Sequence, residues 1–316
     1  MFAICIEASH QKGMGHFFRM LNFAKYLEQK KQNFIFLINE NEKTKEILIS
    51  NGYQYEIVNL LDLDSYWETA LIKKYDLKYW INDRLDTNEK HIKNIQKNSI
   101  KVINFDDLGS GAKYSDINIC GLFFNQDNLQ GKKVFKGVDY LILNPEIDLY
   151  KKQRKSLNHI LVTLGGSDTY GVTIKVLKLL KKYNIKATIH IGPSFEHKEE
   201  LEKELTDDYD VINFIPSLIE EFSKYDLAIT GGGITPFEAN ASGLPCMIVA
   251  NETFEVQNGE FLSSLGSSIY LGFHENIDES KFKDIEKLNL ENMSQNGLLK
   301  LKTKAVEKIY KEIIDE

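Results

Sequence analysis

The chain has 316 residues, which is enough for two domains that each bury a core, and 42% of its residues are hydrophobic. Its 39 Lys and Arg residues against 46 Asp and Glu residues give a formal net charge of −7, so the basic footprint of a general nucleic-acid binder is missing. No stretch is apolar for long enough to cross a bilayer, and we expect no targeting segment at the amino terminus.

The three cysteines, Cys5, Cys120 and Cys246, are odd in number and widely spaced, and each lies inside or beside an apolar run. This pattern favours buried, reduced thiols over disulfides or a metal site. A reducing cytoplasm is therefore the expected location.

Short apolar runs alternate with helix-patterned segments in the first half of the chain, which predicts a parallel sheet covered by helices. The predicted strands are Phe2 to Ala8, Phe34 to Ile38, Tyr53 to Val58, Lys78 to Ile81, Ile100 to Phe105, Ile117 to Cys120 and Val138 to Leu143. The predicted helices are Gly15 to Lys30, Lys43 to Ser50, Ser65 to Tyr75 and Asn88 to Lys97.

The turn after the first strand is a candidate ligand site, because doubly wound sheets bind ligands at the carboxyl ends of their strands. Gly13 and Gly15 would let the backbone approach a ligand, and His16 would lie at the start of the helix. A neutral imidazole facing a cleft can take a proton from water or from a hydroxyl. Arg19 lies one turn further on and could meet an anion. Both could instead have structural roles, and His10 is a rival base.

Acidic residues follow the fourth and fifth strands, in Asn82 to Asp86 and Phe105 to Gly109. Asp83 and Asp107 are the candidates for orienting a base, water or a sugar at the same sheet edge as His16. Asp86 is at least as well placed to cap a helix. The pattern does not lead us to predict a metal or another cofactor.

The polar, basic segment 145–157 predicts a linker between a domain at 1–144 and a second domain at 158–316, although it could be a loop inside one domain. The second alternating series has predicted strands at His159 to Leu164, Lys186 to Ile191, Val211 to Ile215, Leu227 to Thr230, Cys246 to Ala250 and Ser268 to Leu271. A long amphipathic helix from Gly297 to Ile314 is predicted to close this domain.

Glycine turns follow two strands of the second domain. Gly165 and Gly166 precede Ser167 and Asp168, either of which could cap the next helix. The segment from Asp226 to Ala250 predicts strand, glycine turn, helix and strand, with the glycines at 231–233 opening the backbone amides to a phosphate or diphosphate.

Two side-chain pairs nearby have open interpretations. Thr235 and Glu238 have the spacing of a capping box, which is the alternative to a ligand site there. Gln257 and Asn258 carry amides that could meet sugar hydroxyls, and surface polarity explains them equally well.

Taken together, these motifs resemble the nucleotide-sugar hydrolases of pseudaminic acid biosynthesis and the related spore-coat polysaccharide proteins, which share the GT-B fold of the glycosyltransferase that makes lipid II. Gly13 to Arg19 matches the family signature Gly-x-Gly-His-x-x-Arg. Leu164 to Asp168 looks like its Gly-Gly-Ser/Thr-Asp turn, and Gly231 to Glu238 with Gly243 to Pro245 looks like its nucleotide-binding segment.

The resemblance implies two Rossmann-like doubly wound domains facing a central cleft, and a nucleotide-sugar substrate, first of all a UDP-sugar. It implies that His16 is the catalytic base, that Glu238 binds the ribose, and that Gln257 and Asn258 face the sugar. The implied phosphate contacts are Gly232, Gly233, Ile234 and Thr235. It leaves the oligomeric state open.

The chain departs from the family pattern after the fourth strand, where the hydrolases usually have an Asp-His-Tyr-like group. Asp83 aligns with the aspartate, but Arg84 and Leu85 replace the other two. We expect a hydrolase that releases a free amino or deoxy sugar in nonulosonic acid or surface polysaccharide biosynthesis. The alternatives are a GT-B glycosyltransferase in surface glycan synthesis and a nucleotide-sugar binding module without catalysis.

Overall fold

The computed structural model describes residues 1–7, 15–122, 126–192, 194–213, 215 and 217–315. The chain divides into two compact units, one formed by Met1–Ile142 with Lys304–Glu316 and the other by Leu143–Thr303. No helix of the described residues is long and apolar enough to span a membrane.

The first unit contains a parallel sheet with the strand order β3-β2-β1-β4-β5-β6-β7. Its elements begin with β1 (Phe2–Ile6), α1 (Gly15–Gln29), β2 (Phe34–Ile38), α2 (Glu42–Ser50), β3 (Tyr55–Ile57), α3 (Trp67–Tyr75) and β4 (Tyr79–Asp83). They continue with α4 (Glu89–Gln96), β5 (Lys101–Phe105), β6 (Ile117–Cys120) and β7 (Lys133–Lys136).

The second unit contains a parallel sheet with the order β10-β9-β8-β11-β12-β13. Its elements begin with α5 (Ile147–Tyr150), β8 (Ile160–Thr163), α6 (Val172–Lys182), β9 (Ala187–His190), α7 (Lys198–Glu204), β10 (Tyr209–Ile212), α8 (Leu218–Glu221) and β11 (Leu227–Gly231). They end with α9 (Thr235–Ala241), β12 (Cys246–Ala250), α10 (Glu255–Ser264), β13 (Ser268–Phe273), α11 (Ser280–Lys283) and α12 (Leu290–Lys300), after which α13 (Ala305–Ile314) returns to the first unit.

These sheets confirm the predicted pair of doubly wound α/β domains, with one strand misplaced. The strand predicted at Val138 to Leu143 is wrong, because the seventh strand is β7 and Gly137 follows it with a φ of 98°. Residues 138–140 form a 3₁₀ turn, and residues 141–143 are buried without pairing in the sheet. Their apolar character comes from a buried connection, which has the same composition as a buried strand.

The predicted closing helix of the second domain is also wrong in extent and in place. Two helices, α12 and α13, cover that segment, and α13 packs on the first unit. Ile309, Tyr310 and Ile313 of α13 are buried in one core with Phe2 and Phe23. The apolar stripe of α13 therefore completes the first core.

The alternation of side chains along each strand divides the first unit into two cores. Phe2, Ile4 and Ile6 of β1 pack on the face covered by α1 and α13. Ala3 and Cys5 of the same strand pack on the opposite face with α3 and α4. This parity decides which functional side chains meet at the end of the sheet.

The predicted linker 145–157 is a fixed part of the second unit. Arg154 is 1% exposed, and its guanidinium donates to the backbone oxygens of Tyr225 at 3.2 Å, Ser242 at 2.6 Å and Phe222 at 2.8 Å. The basic residues of this segment therefore have two different roles. Arg154 fastens the segment to the second unit through buried hydrogen bonds, whereas the lysines are solvated. The three cysteines are buried thiols outside any disulfide, as predicted.

Candidate functional site

The first candidate site lies at the carboxyl ends of β1 and β4, which are neighbours although two strands and three helices separate them in sequence. The strand order reverses direction between them, and such a switch point leaves a crevice above the sheet. Ile6 at the end of β1 pairs with Asp83 at the end of β4. The turn that leads from β1 to His16 in α1 therefore starts beside Asp83.

Strand parity directs Asp83 toward α1. Ile81, two residues earlier, is part of the core on the α1 side, so Asp83 faces the same way. His16 and Arg19 lie on the first turn of α1, three residues apart and on one helix face. The sequence analysis predicted a carboxylate after the fourth strand at the same sheet edge as His16, and Asp83 lies there; its contact with Arg19 was not predicted.

Asp83 is fully buried and binds both of these side chains. Arg19 donates from Nε to Oδ2 at 2.8 Å and from Nη2 to Oδ1 at 2.5 Å, and His16 Nδ1 lies 2.7 Å from Oδ1. Arg19 also donates from Nη1 to Asp106 Oδ2 at 2.6 Å. Its guanidinium lies over the Phe105 ring, 5.2 Å from the centroid. We call these four residues, His16, Arg19, Asp83 and Asp106, the His16 cluster.

The charges of the His16 cluster decide its protonation. Burial opposes ionisation of Asp83, but the Arg19 guanidinium and His16 outweigh it and hold the pKa of this carboxyl below its ordinary value. Burial likewise opposes the charge on Arg19, and Asp106 and Asp83 more than compensate, so its pKa is raised. The cluster therefore holds an ionised carboxylate beside the imidazole.

An ionised Asp83 fixes the tautomer of His16. Nδ1 at 2.7 Å from a carboxylate oxygen must carry the proton, so Nε2 of the neutral ring is the acceptor. The 3.1 Å approach of Arg19 Nη2 to Nδ1 is then a contact between two donors that share Asp83 Oδ1. His16 remains 19% exposed, so solvent can reach a ring held in the orientation of a general base.

Asp106 belongs to the His16 cluster, but the sequence interpretation chose its neighbour Asp107 instead. Asp106 adopts a φ of 52° at the end of β5, and this left-handed turn brings its carboxylate to Arg19. Alternation along β5 would not place it there. The sequence does not show that a residue other than glycine adopts a positive φ. It therefore gave no reason to choose Asp106 over Asp107 as the site residue.

Asp107 is brought into a buried polar network instead of the His16 cluster. It is 1% exposed, and Oδ1 accepts from the backbone N–H of Thr87 at 2.9 Å and of Gly109 at 2.9 Å. Oδ2 accepts from the Thr87 hydroxyl at 2.5 Å and from Asn104. With both oxygens bound internally, Asp107 holds two loops together and does not face a ligand. Asp86 is exposed, and Asn88 caps α4 in the place predicted as possible for Asp86.

The remaining predictions for the first turn have mixed outcomes. Gly13 and His10 lie outside the described residues. Gly15 is the first residue of α1, and a Cβ added there would meet nothing within 4 Å. That open space is compatible with a ligand beside the helix start.

The second candidate site is a pocket of about 240 Å³ within the second unit, which we call the glycine pocket. Two glycine turns form it, one after β8 and one after β11, together with residues that follow β12. Its lining includes the predicted residues Gly165, Gly166, Ser167, Gly233 and Thr235, and also Asn251, Glu252 and Glu255. The structure therefore brings both predicted glycine turns to one pocket.

Glycine is required at Gly232 by a close approach. A Cβ there would lie 2.7 Å from the Cβ of Glu255. Glu255 Oε2 accepts from the Gly232 N–H at 3.2 Å and from the Asn251 N–H at 2.7 Å, so this carboxylate fixes the turn. Burial raises the pKa of Glu255. The Gly232 amide is thus bound within the protein, which leaves Gly233, Ile234 and Thr235 as the predicted phosphate contacts.

Asp168, rather than Ser167, is the helix cap. Its carboxylate accepts from the N–H groups of Val172 at 2.8 Å and Thr173 at 2.8 Å, and its φ is 47°. The Ser167 hydroxyl lies 3.2 Å from that of Thr169 and lines the glycine pocket. The alternative cap at Ser167 is therefore wrong, and its hydroxyl faces the pocket.

Glu238 does not form the capping box that its spacing allowed. The start of α9 has no side-chain cap, and the Glu238 carboxylate accepts one long hydrogen bond, from the Asn144 N–H at 3.4 Å. Burial raises its pKa to about 7, and the Asn144 N–H opposes this only weakly. This half-buried carboxylate with few partners belongs to the second unit, as Asn144 does.

Gln257 and Asn258, the amide pair predicted to face a sugar, lie in different environments on α10. Asn258 is fully buried and donates to the Gly232 oxygen at 2.9 Å, so it supports the glycine turn from below. Gln257 is exposed and does not line the glycine pocket. The sequence interpretation missed Asn251, Glu252 and Glu255, which do line it. Glu255 and Gln257 are two residues apart on α10, about half a helical turn, so their side chains face opposite sides of the helix.

Comparison with known proteins finds relatives in sequence and solved structures of the same fold. No family model matches it. It is 30% identical over 271 residues to the uncharacterized protein MJ1062 of Methanocaldococcus jannaschii, covering 78% of this chain and 55% of that protein, so the chain spans about half of that relative. It is 26% identical over 293 residues to the spore coat polysaccharide biosynthesis protein SpsG of Bacillus subtilis, covering 87% of this chain and 85% of that one.

Two solved structures illustrate the fold. MurG of Acinetobacter baumannii matches with a TM-score of 0.71 at 14% identity, over 100% of this chain and 99% of that one. HepE of Anabaena, in a complex with UDP and glucose, matches with a TM-score of 0.69 at 10% identity, over 100% and 99% of the two chains. The chain thus has the GT-B fold, with one parallel α/β sheet in each unit.

Proposed function

We propose that this protein is a hydrolase of nucleotide-diphosphate sugars, with a UDP-sugar as the first candidate substrate, and that it acts in nonulosonic acid or surface polysaccharide biosynthesis. The observation that carries the proposal is the His16–Asp83 pair, in which a buried carboxylate orients an accessible imidazole. The likeness to the spore coat polysaccharide protein supports the pathway class, and the UDP and glucose in the HepE structure support the ligand class.

In the proposed reaction, the glycine pocket binds the diphosphate through backbone amides at Gly233 to Thr235, and Glu238 accepts from the ribose hydroxyls. His16 Nε2 takes a proton from water, whose oxygen attacks the anomeric carbon of the sugar. The bond from that carbon to the phosphate oxygen breaks, and its electron pair leaves with the nucleoside diphosphate. His16 then releases its proton to solvent, which balances the step.

Asp83 and Arg19 have separate roles in this proposal. Asp83 stabilises the imidazolium that forms when His16 takes the proton, and it keeps Nδ1 protonated throughout. Arg19 is a positioning residue, because its guanidinium is held by Asp83 and Asp106 and keeps both carboxylates in place. Neither role needs a metal or another cofactor.

Glycosyl transfer is the second candidate, with His16 deprotonating an acceptor hydroxyl instead of water. Exposed apolar side chains in the first unit favour it: Phe18, beside His16, is 49% exposed, and Leu61 is 88% exposed. Such side chains are typical of surfaces that meet an apolar partner, as a lipid-linked acceptor would be.

The deciding experiment is incubation of the purified protein with a panel of UDP-linked amino sugars, without any acceptor, followed by detection of UDP. We expect UDP release by the wild type and its loss in His16→Ala. In isotopically labelled water the label should enter the sugar, since the bond at the anomeric carbon is the one that breaks. Release that requires an added sugar or lipid acceptor would instead establish transfer, and UDP binding without turnover would establish a binding module.

A further inference from the structure

Tyr170 connects two loops that line the glycine pocket. It lies in the loop between β8 and α6, and its hydroxyl donates to Glu252 Oε1, in the loop between β12 and α10, at 3.0 Å. Both residues line the pocket and both are exposed, Tyr170 at 40%. Their hydrogen bond is therefore accessible to solvent at the pocket wall.

The ring of Tyr170 has a support that does not involve Glu252. It stacks on the His274 imidazole, with ring centroids 4.1 Å apart and ring planes inclined by 15°. His274 is 7% exposed, its N–H donates to the backbone oxygen of Ala250 at 2.9 Å, and its own backbone oxygen accepts from Lys175 Nζ at 3.1 Å. The hydroxyl of Tyr170 can therefore change its hydrogen-bond partner while the ring stays in place.

Three carboxyl groups are among the described lining residues of the glycine pocket, and they differ in their partners. Asp168 and Glu255 each accept from two backbone N–H groups, which holds them against the protein. Glu252 instead accepts from the Tyr170 hydroxyl and is exposed. Glu252 is therefore the carboxylate that can turn out toward solvent.

A diphosphate in this pocket would meet the negative charge of Glu252. No Lys or Arg is among the described lining residues, so no cationic side chain of the lining offsets this repulsion. The Tyr170 hydroxyl is a donor, and hydrogen bonds to charged oxygens are stronger than those between neutral groups. Its bond to Glu252 raises the pKa of Tyr170, so the hydroxyl keeps its proton at neutral pH and can donate it to an anion.

We propose that Tyr170 is a ligand-binding residue whose hydroxyl passes from Glu252 to a phosphate oxygen when a diphosphate enters the glycine pocket, while the Glu252 side chain turns toward solvent. The inference rests on the proposed function for the class of ligand, a nucleoside diphosphate. Glu252 has the opposite effect, because its carboxylate occupies the donor and repels the anion. The two partners of one hydrogen bond therefore change the affinity in opposite directions.

The test is calorimetric titration of the full-length protein with UDP. Tyr170→Phe removes the hydroxyl and keeps the ring on His274, and we expect an affinity about tenfold lower, since a hydrogen bond to a charged group is lost. Glu252→Gln removes the charge, and we expect an affinity about threefold higher, as for a repulsion at an exposed position. Neither variant should lower the melting temperature, because the bond between the two side chains is exposed.

Tyr183→Phe and Glu202→Gln are the matched controls in the same unit. Neither residue lines the glycine pocket, so both variants should bind UDP like the wild type.

Opposite signs separate this role from a structural one. If the hydrogen bond only held the two loops together, both Tyr170→Phe and Glu252→Gln would bind UDP more weakly and melt at a lower temperature, and that result would overturn the inference. An absence of UDP binding to the wild type would overturn the proposed function as well. UDP binding that Tyr170→Phe leaves unchanged would overturn this inference alone.

Discussion

Both units bury arginines, and a comparison of Arg19 with Arg154 distinguishes a charged cluster beside His16 from a purely structural contact. Arg19 in the first unit is held by the carboxylates of Asp83 and Asp106, which raise its pKa. Arg154 in the second is held by backbone oxygens, and burial lowers its pKa to about 10. Carboxylates compensate the positive charge of a buried guanidinium, and they can also orient a neighbouring side chain such as His16. Backbone carbonyl groups carry no net charge, so their hydrogen bonds to Arg154 only hold the chain in place.

The two candidate sites differ in the same way. The His16 cluster consists of ionised side chains on rigid elements, α1 and the ends of β4 and β5. The glycine pocket is lined by backbone and by carboxyl groups, and no Lys or Arg is among its described lining residues. The first arrangement suits proton transfer, while the second suits an anion that is bound by amides.

The largest expected effect is that of Asp83→Asn on turnover. The amide cannot hold Nδ1 protonated as the carboxylate does, and it cannot stabilise the imidazolium, so kcat should fall by about 10³-fold or more. UDP affinity should stay unchanged, because the glycine pocket is untouched. Steady-state kinetics on the UDP-sugar that the panel identifies, together with UDP titration, measures both.

Asp107→Asn is the matched control, since Asp107 is an equally buried aspartate of the same unit. It should lower the melting temperature, because four hydrogen bonds to Thr87, Asn104 and Gly109 are disturbed, and it should keep most of kcat in the folded protein. Equal losses of kcat in both variants would contradict the distinction between a cluster that acts on His16 and a network that holds loops.

The next effect is on stability, in Arg154→Met. The change leaves the oxygens of Phe222, Tyr225 and Ser242 without their charged donor, and it should lower the free energy of unfolding by about 3 kcal/mol or more. Urea denaturation measures it, with the exposed neighbour in Lys155→Met as the control. A small loss would mean that segment 145–157 is a loose linker after all.

Glu238→Gln should change how stability depends on pH. The pKa of Glu238 is raised from an ordinary 4.5 to about 7, so the folded protein keeps a proton that the unfolded chain loses as the pH rises above 4.5. Its contribution to stability is therefore complete below pH 4.5 and is lost as the pH rises through about 7, by at most about 3 kcal/mol. The glutamine variant should lack this loss, and Glu202→Gln, on an exposed helix position, should keep it.

The same variant tests the ribose contact. If ribose hydroxyls donate to Glu238, UDP should bind more tightly as the pH rises through about 7 and the carboxyl ionises. Glu238→Gln should then bind more weakly and without that pH dependence. An affinity unchanged by the substitution at pH 8 would remove Glu238 from the nucleotide site.

Sequence patterns predicted where the candidate sites lie, but the choice between neighbouring residues depends on the backbone conformation. The apolar runs and glycine turns predicted both sheets and placed His16, Arg19 and Asp83 at one edge, because parallel strands end together. They could not choose Asp106 over Asp107, since a φ of 52° decides it, nor Glu255 over Gln257, since half a helical turn decides that. The sequence also could not predict which unit α13 packs on, because an apolar helix face does not indicate which core it covers.

The smallest expected effect is that of Gly166→Ala on UDP binding. This variant tests the glycine pocket, whose proposed ligand contacts are backbone amides. A Cβ at Gly166 meets nothing within 4 Å and the residue lines the glycine pocket, so the fold should persist while the methyl group intrudes on the ligand. We expect an affinity about tenfold lower, equivalent to about 1.4 kcal/mol, with an unchanged melting temperature. Calorimetric titration with UDP measures it.

Gly165→Ala separates space from backbone strain in this prediction. Gly165 also has open space for a Cβ, but its φ of 93° is one that alanine adopts only at a cost, so this variant should lose stability as well as affinity. If Gly166→Ala binds UDP like the wild type, the glycine pocket is not where the diphosphate lies. The proposal that backbone amides of the glycine pocket bind the diphosphate would then be wrong. The proposed role of the His16 cluster would be unaffected, because the contacts of this cluster all lie within the first unit.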